Sequence, residues 1–434
     1  MTARVRWLKG RRSATMRTAV PLVTLVLAAA ACGVPVAHAS ATDSRSTATS
    51  QRTQGSWTAS FLSSRSIAIG AAAAATGTTS LAPAVTCTDR YFNGMTTAQR
   101  VGQLFMGGVN AARPDQTQLR TLRTYHVGSI MLTGRSTAGV TATRKVVDSI
   151  RGQADLVGGQ RVGLLVSTDQ EGGQVQVLSG PGFSTMPNGL TQGSWSTTTL
   201  RTRAAGWAKQ LKAAGLNLNL APVADVVPAS LGTKNGPIGH YFREYGHTAA
   251  TVTSHTNAFA AGFKQSGVMT TLKHFPGLGQ VIGNTDTTAN VKDTVTTASS
   301  SSLTPFRSGI AAGSPFVMVS LATYTKIDSK HLAAFSPTVI GQMLRTQLGF
   351  KGVVISDDLG NAVAVRSFTP AQRALNFIAA GGDMILTVQP STVPAMAQAI
   401  QTRMQQDASF RTKVNNSVHR ILTAKLNAGQ LTCS

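Results

Sequence analysis

Gly352-Val353-Val354-Ile355-Ser356-Asp357-Asp358-Leu359 is a short β-branched run that ends in two adjacent carboxylates. A run of this length with no polar alternation fits a strand covered on both faces. The stretch before it, Pro337–Leu348, has helical spacing, and Gly349 stands where such a helix should stop. The stretch after it, Pro370–Ala379, is again helix-sized and is followed by Gly381. The same alternation fills the chain from about Cys87 onward. The other apolar runs are Leu104–Val109, Val127–Leu132, Val162–Val166, Asn217–Val223, Val268–Leu272, Phe316–Leu321 and Met384–Val388. Helical stretches lie between them at Thr137–Ala154, Thr199–Ala214, Gly246–Gln265 and Leu303–Ala312, with a final pair from Thr392 to Asn427. Eight such units in about 350 residues predict an α/β fold, a closed (β/α)8 TIM barrel forming a single domain. The alternative is an open doubly wound sheet. That fold carries a Gly-rich phosphate loop after its first strand, and none follows Leu104–Val109.

Charged residues fall at the ends of these runs. Asp169 follows the third, in Ser167-Thr168-Asp169-Gln170-Glu171-Gly172-Gly173. Asp225 follows the fourth, Lys273-His274 the fifth and Asp357-Asp358 the seventh. In a parallel barrel the C-terminal strand ends share one mouth, so these groups are expected to converge on one site.

Four segments, in this order, resemble glycoside hydrolase family 3 in its short β-N-acetylhexosaminidase-like branch. They are Thr168-Asp169-Gln170-Glu171-Gly172-Gly173-Gln174-Val175, Leu220-Ala221-Pro222-Val223-Ala224-Asp225-Val226, Leu272-Lys273-His274-Phe275-Pro276-Gly277-Leu278-Gly279, and the opening segment. The resemblance spans residues about 90–430. It implies a retaining mechanism with Asp357 as nucleophile, since such enzymes need a carboxylate placed to attack the anomeric carbon. Asp358 is then a helix N-cap or a buried structural acid. Substrate binding falls by the same resemblance on Asp169, Arg243, Lys273 and His274. Asp169 suits a vicinal diol, and Lys273 and His274 offer donors to ring hydroxyls. Arg243 lies in Phe242-Arg243-Glu244-Tyr245-Gly246, which looks like the family's Arg-Ser-Phe-Gly segment. Its alternative is a surface ion pair with Glu244. Gly172 and Gly173 read as points of close backbone approach.

The general acid/base departs from the pattern. The family's loop after the fifth strand carries an Asp-Ser-His triplet, but this chain reads Asp286-Thr287-Thr288. Threonine cannot transfer this proton, because its pKa is far too high. Three readings stay open: Asp286 is the acid/base, its pKa raised by burial or by the nucleophile; a His from elsewhere, such as His240 or His331, swings in; or the protein binds sugar and hydrolyses it slowly or not at all.

The 434 residues carry 40 Lys+Arg against only 16 Asp+Glu, a net charge of +24. Two of the acids are Glu, Glu171 and Glu244. That scarcity argues against oxygen-rich calcium cages, and no His/Cys/Asp cluster has metal-ligand spacing. No metal or cofactor is expected. Residues 1–39 read as a signal peptide, with a basic start, an apolar stretch Ala19–Ala31 and an Ala37-His38-Ala39 cleavage site. A lipoprotein anchored through Cys32 is the alternative. The apolar stretch is too short to span a bilayer. Residues 40–86 form a Ser/Thr/Ala-rich flexible linker, and residues 87–434 form the catalytic domain.

Removing the six leader cations lowers +24 to +18. Nucleic-acid-binding signatures are absent. In an exported chain the basic excess fits attraction to an anionic cell-wall polymer, with a plain solvated surface as the alternative. Cys87 and Cys433, an even pair bracketing the domain, are expected to form a disulfide. The expected function is a secreted or cell-surface retaining exo-glycosidase releasing terminal β-linked N-acetylglucosamine from peptidoglycan- or chitin-derived substrates. The alternatives are a β-glucosidase or β-xylosidase, or a carbohydrate-binding pseudoenzyme.

Overall fold

The computed structural model describes residues 86–433. The leader, Cys32 and nearly all of the Ser/Thr/Ala-rich stretch lie outside the described residues.

All eight apolar runs contain strands: β1 (Phe105–Asn110), β2 (Ser129–Thr133), β3 (Leu165–Thr168), β4 (Leu218–Asn219), β5 (Met269–Phe275), β6 (Phe316–Val319), β7 (Val353–Ser356) and β8 (Ile385–Thr387). They form two parallel four-stranded sheets, ordered β8-β1-β2-β3 and β7-β6-β5-β4. Backbone bonds also run between the sheets. Asn217 and Leu220, flanking β4, donate to the Val166 and Thr168 carbonyls at 3.1 and 2.9 Å, and Ser356 donates to Met384 at 2.9 Å. Every residue of β3, β6, β7 and β8 is buried, as runs without polar alternation require. The parallel α/β class expected from the sequence is therefore present.

β4 is shorter than the run Asn217–Val223 predicts. Pro222 has no N–H to give the ladder, and pairing resumes only as a single bridge between Val223 and Lys273. The expected helices appear, among them Gly139–Arg151, Thr197–Ala213, Ala249–Gln265 and Pro370–Ala380. In Thr338–Gln347 the turns are wider, and the Leu348 N–H reaches back to Met343. Gly262 lets two of the helices close together: a Cβ there would lie 2.4 Å from the Arg201 carbonyl.

Three short helices near the start of the domain escaped the sequence reading: Cys87–Gly94, Thr97–Gln103 and Gln116–Thr124. Each is too brief for apolar periodicity to show, but each has a cap. Thr86 with Asp89, and Thr96 with Gln99, form capping boxes, and Asp115 caps the third.

The ends of the domain are clamped together. Cys87 and Cys433, 346 positions apart, are joined with their Cα atoms 5.7 Å apart. The Tyr91 hydroxyl donates to the Thr432 carbonyl at 3.1 Å and accepts the Thr432 N–H at 3.2 Å. The last helix, Ala408–Asn427, places Lys425 with no solvent exposure, donating to Gln103 at 2.6 Å. Among the described residues no helix is long and apolar enough to cross a membrane.

Two outcomes follow. Cys433→Ser, or reductant, lowers the unfolding free energy by about 2–5 kcal/mol in urea titrations; an unchanged midpoint would overturn the clamp. Burial pushes the Lys425 ammonium down from 10.5 to about 7. Between those values the unfolded chain holds a proton that the folded one lacks, so stability rises with pH through that window. The rise should be smaller in Lys425→Met, measured by denaturation across the same range.

Candidate active site

The C-terminal strand ends open onto a cavity of about 520 Å³. Asp169, Arg243, Lys273, His274, Asp286 and Asp357 all line it. These are the six site residues that the sequence singled out.

After β3 the chain turns at Asp169 into a short antiparallel ladder, Gln170–Gly172 against Val175–Gln176. Gly172 has φ +115°, and a Cβ there would lie 2.1 Å from the Pro187 carbonyl. The expected close backbone approach is thus present, and it leaves no room for a side chain.

Lys273, near the end of β5, is 2% exposed. Its Nζ donates to Asp169 Oδ1 and meets Glu171 Oε1, both at 2.6 Å. Arg243 takes the same Glu171 in a two-pronged grip, Nε to Oε2 and Nη2 to Oε1, each 2.8 Å. Its remaining terminal nitrogen donates to the Pro237 carbonyl. Burial alone would raise the Glu171 carboxyl, but Arg243 and then Lys273 outweigh it and hold the pKa at about 2. Burial likewise works against the Lys273 ammonium, and Asp169 and Glu171 reverse the effect and raise its pKa.

The surface pair of Arg243 with Glu244 is not formed. Glu244 is buried, its Oε2 has no hydrogen-bond partner, and burial raises its pKa. Arg243 faces the other way in the network, toward an acid 72 positions earlier, where it and the buried Lys273 share a counter-charge.

His274 is fixed by Asp225. Its Nδ1 lies 2.7 Å from Asp225 Oδ2, while Asp225 Oδ1 accepts the His274 and Leu278 N–H groups. With Nδ1–H given to Asp225, Nε2 is the ring atom left to meet a ligand. The Lys273–His274 peptide is cis.

Asp286 sits on the loop after β5. The loop is wound by Thr287 and Thr288 N–H bonds to the Asn284 carbonyl and tied across to Val363 and Ala364 by bonds at 3.2 and 3.1 Å. Asp286 stands exposed at the cavity rim. Crowding by the cavity wall raises its pKa to about 6, and the Asp357 charge adds to the rise, against Arg243 and His274. Solvent at the rim weakens the first effect; a second carboxylate in the same cavity raises the pKa with or without it. Neither His240 nor His331 lines the cavity, and His331 is paired with Asp328 at 2.9 Å.

Asp357 follows β7, its N–H bonded to the Val319 carbonyl of β6. Asp358 accepts the N–H groups of Gly360, Asn361 and Val388. It is a buried acid that ties the turn after β7 to the end of β8. Buried Arg373 braces the same turn through the Leu359 and Gly360 carbonyls.

Glu171 and Asp225 are the site members to which the sequence reading gave no role. A signal existed for the first: Asp169 and Glu171 are two apart, which puts both on one face of an extended segment.

A family model described as the glycosyl hydrolase family 3 N-terminal domain matches residues 96–424. The chain belongs to glycoside hydrolase family 3. It is similar to the β-hexosaminidase of Stenotrophomonas maltophilia (strain K279a), 34% identical over 254 residues, covering 57% of this chain and 73% of that one. It is 29% identical over 337 residues to β-hexosaminidase LpqI of Mycobacterium tuberculosis (strain ATCC 25618 / H37Rv), covering 75% and 82%. Among solved structures it resembles a β-N-acetylhexosaminidase from Beutenbergia cavernae, at 48% identity and a TM-score of 0.75, covering 76% of this chain and 98% of that one. As a family 3 member the protein is a glycoside hydrolase of the β-N-acetylhexosaminidase-like branch.

In this family 3 site, Glu171→Gln leaves the half-buried Arg243 without a carboxylate and the buried Lys273 with Asp169 alone. It is expected to cost about 3–5 kcal/mol of stability at neutral pH. Because Glu171 drops from 4.5 to about 2 on folding, its stabilising contribution is present above 4.5 and fades as the pH falls toward 2. The variant should show a shallower acid limb; a loss below about 1 kcal/mol would count against the network.

Proposed function

We propose that the protein is an exported, retaining exo-glycosidase that releases terminal β-linked N-acetylglucosamine from peptidoglycan- or chitin-derived oligosaccharides. Residues 1–39 act as the export signal, residues 40–86 as a tether, and residues 87–434 as the catalytic domain. In this reading the two sheets close into a (β/α)8 barrel, and the bonds from Asn217, Leu220 and Ser356 across the sheets support that closure. The basic surface favours an anionic wall polymer as surroundings.

One observation carries the mechanism: Asp286, with its pKa raised to about 6, shares a cavity with Asp357. The Asp357 carboxylate attacks the anomeric carbon and forms a glycosyl ester, while the Asp286 carboxylic acid passes its proton to the departing oxygen. Asp286, now ionised, takes a proton from water. The resulting hydroxide attacks the anomeric carbon and releases Asp357. Asp169, Lys273, His274 and Arg243 hold the sugar. The names of the similar proteins above support an N-acetylhexosamine as that sugar, of which N-acetylglucosamine is the one proposed.

A general acid with a pKa of about 6 is active while protonated, so kcat/KM should fall as pH rises above that value. Asp286→Asn should abolish that limb and cost about 10²–10⁴-fold on substrates with poor leaving groups, but far less on activated aryl glycosides. Asp357→Asn should abolish turnover of both. Full activity of the Asp357 variant would overturn the mechanism. Failure of the intact protein to cleave any β-glycoside it binds would favour the pseudoenzyme.

A further inference from the structure

Three cationic side chains and a histidine line the cavity: Arg135, Arg243, Lys273 and His274. Three are already paired, Arg243 with Glu171, Lys273 with Asp169 and Glu171, and His274 with Asp225. Arg135 is the exception; among the described residues it has no carboxylate partner. It is nonetheless held in place, because its two terminal nitrogens donate to the Gln176 and Gln174 carbonyls at 3.1 and 2.6 Å. A guanidinium has five N–H groups, so three remain for a ligand, and no carboxylate is held against its charge.

Its position matters as much as its charge. Arg135 follows β2 in the sheet β8-β1-β2-β3, while Asp286 and Asp357 follow β5 and β7 of the other sheet. The basic side chains that act on Asp286 are Arg243 and His274. A negatively charged ligand group would be repelled near the two reacting carboxylates and attracted at Arg135. Arg–carboxylate pairs form two parallel bonds and are among the stronger polar contacts.

We propose that Arg135 is a specificity-determining residue that binds a carboxylate carried by the substrate away from the bond being cleaved. The favoured substrate is then an acidic saccharide. This deepens the glycosidase reading and rests on it.

The test is equilibrium binding to the full chain carrying Asp357→Asn, in which turnover is blocked. The probes are a β-1,4-linked N-acetylglucosaminyl disaccharide whose second sugar bears a lactyl carboxylate, the methyl ester of that compound, and a disaccharide with a uronic acid as its second sugar beside its own ester. An acid should bind about ten- to a hundredfold more tightly than its ester, and the acid that does so identifies where the carboxylate sits. Adding Arg135→Gln should bring the ratio near one, and Arg135→Lys should retain part of it. Equal binding of acids and esters, or a ratio that survives Arg135→Gln, overturns the assignment of Arg135 alone. Binding of none of the four sugars overturns the glycosidase reading with it.

Discussion

Glu171 is one carboxylate serving two cations, the buried Lys273 and the half-buried Arg243. Arg243 grips both of its oxygens, and Lys273 shares one of them while reaching Asp169 with the same ammonium. Those residues come from the end of β3, the region after β4 and the end of β5. Burying an ion is expensive unless its partner is close and its remaining hydrogen-bonding capacity is used. The network therefore forms only when three separate parts of the chain arrive together. The shape of the cavity wall is a consequence of that requirement, because no member can move without leaving a charge unpaired.

Against this fixed wall the carboxylates differ by their surroundings. Glu171 is held ionised by cations. Asp358 is saturated by three backbone N–H groups. Asp286 feels Arg243 and His274, but crowding by the cavity wall and then its neighbour Asp357 outweigh them and discourage ionisation. Acid and base roles arise where environments push equivalent groups apart. The loop that carries Asp286 is held to Val363 and Ala364 by backbone bonds, so the chain just beyond Asp357 also positions its candidate partner.

Much of this was legible in the chain itself. The eight strands announced themselves because a strand buried on both faces has no polar alternation, and carboxylates directly after such runs had to lie at one end of the sheets. The length of β4 was not legible from hydrophobicity, since Pro222 looks apolar while removing a donor. The short helices near the start were written in caps instead of periodicity. What the sequence hid most was pairing. Arg243 sits beside Glu244 but bonds to Glu171, and Asp225 bonds to a histidine 49 positions away. Such partners are chosen by where buried charge needs compensation, which adjacency in the chain does not report.

The Cys87–Cys433 bridge makes the described domain a covalent ring. A single cut in any surface loop would linearise it without releasing a piece, and both sides of the cut would stay tethered through the bridge. Because the two Cα atoms lie 5.7 Å apart, the order in which the strands are read along the chain is incidental to how they pack. The molecule could in principle be opened at another loop and keep the same neighbours around the same cavity.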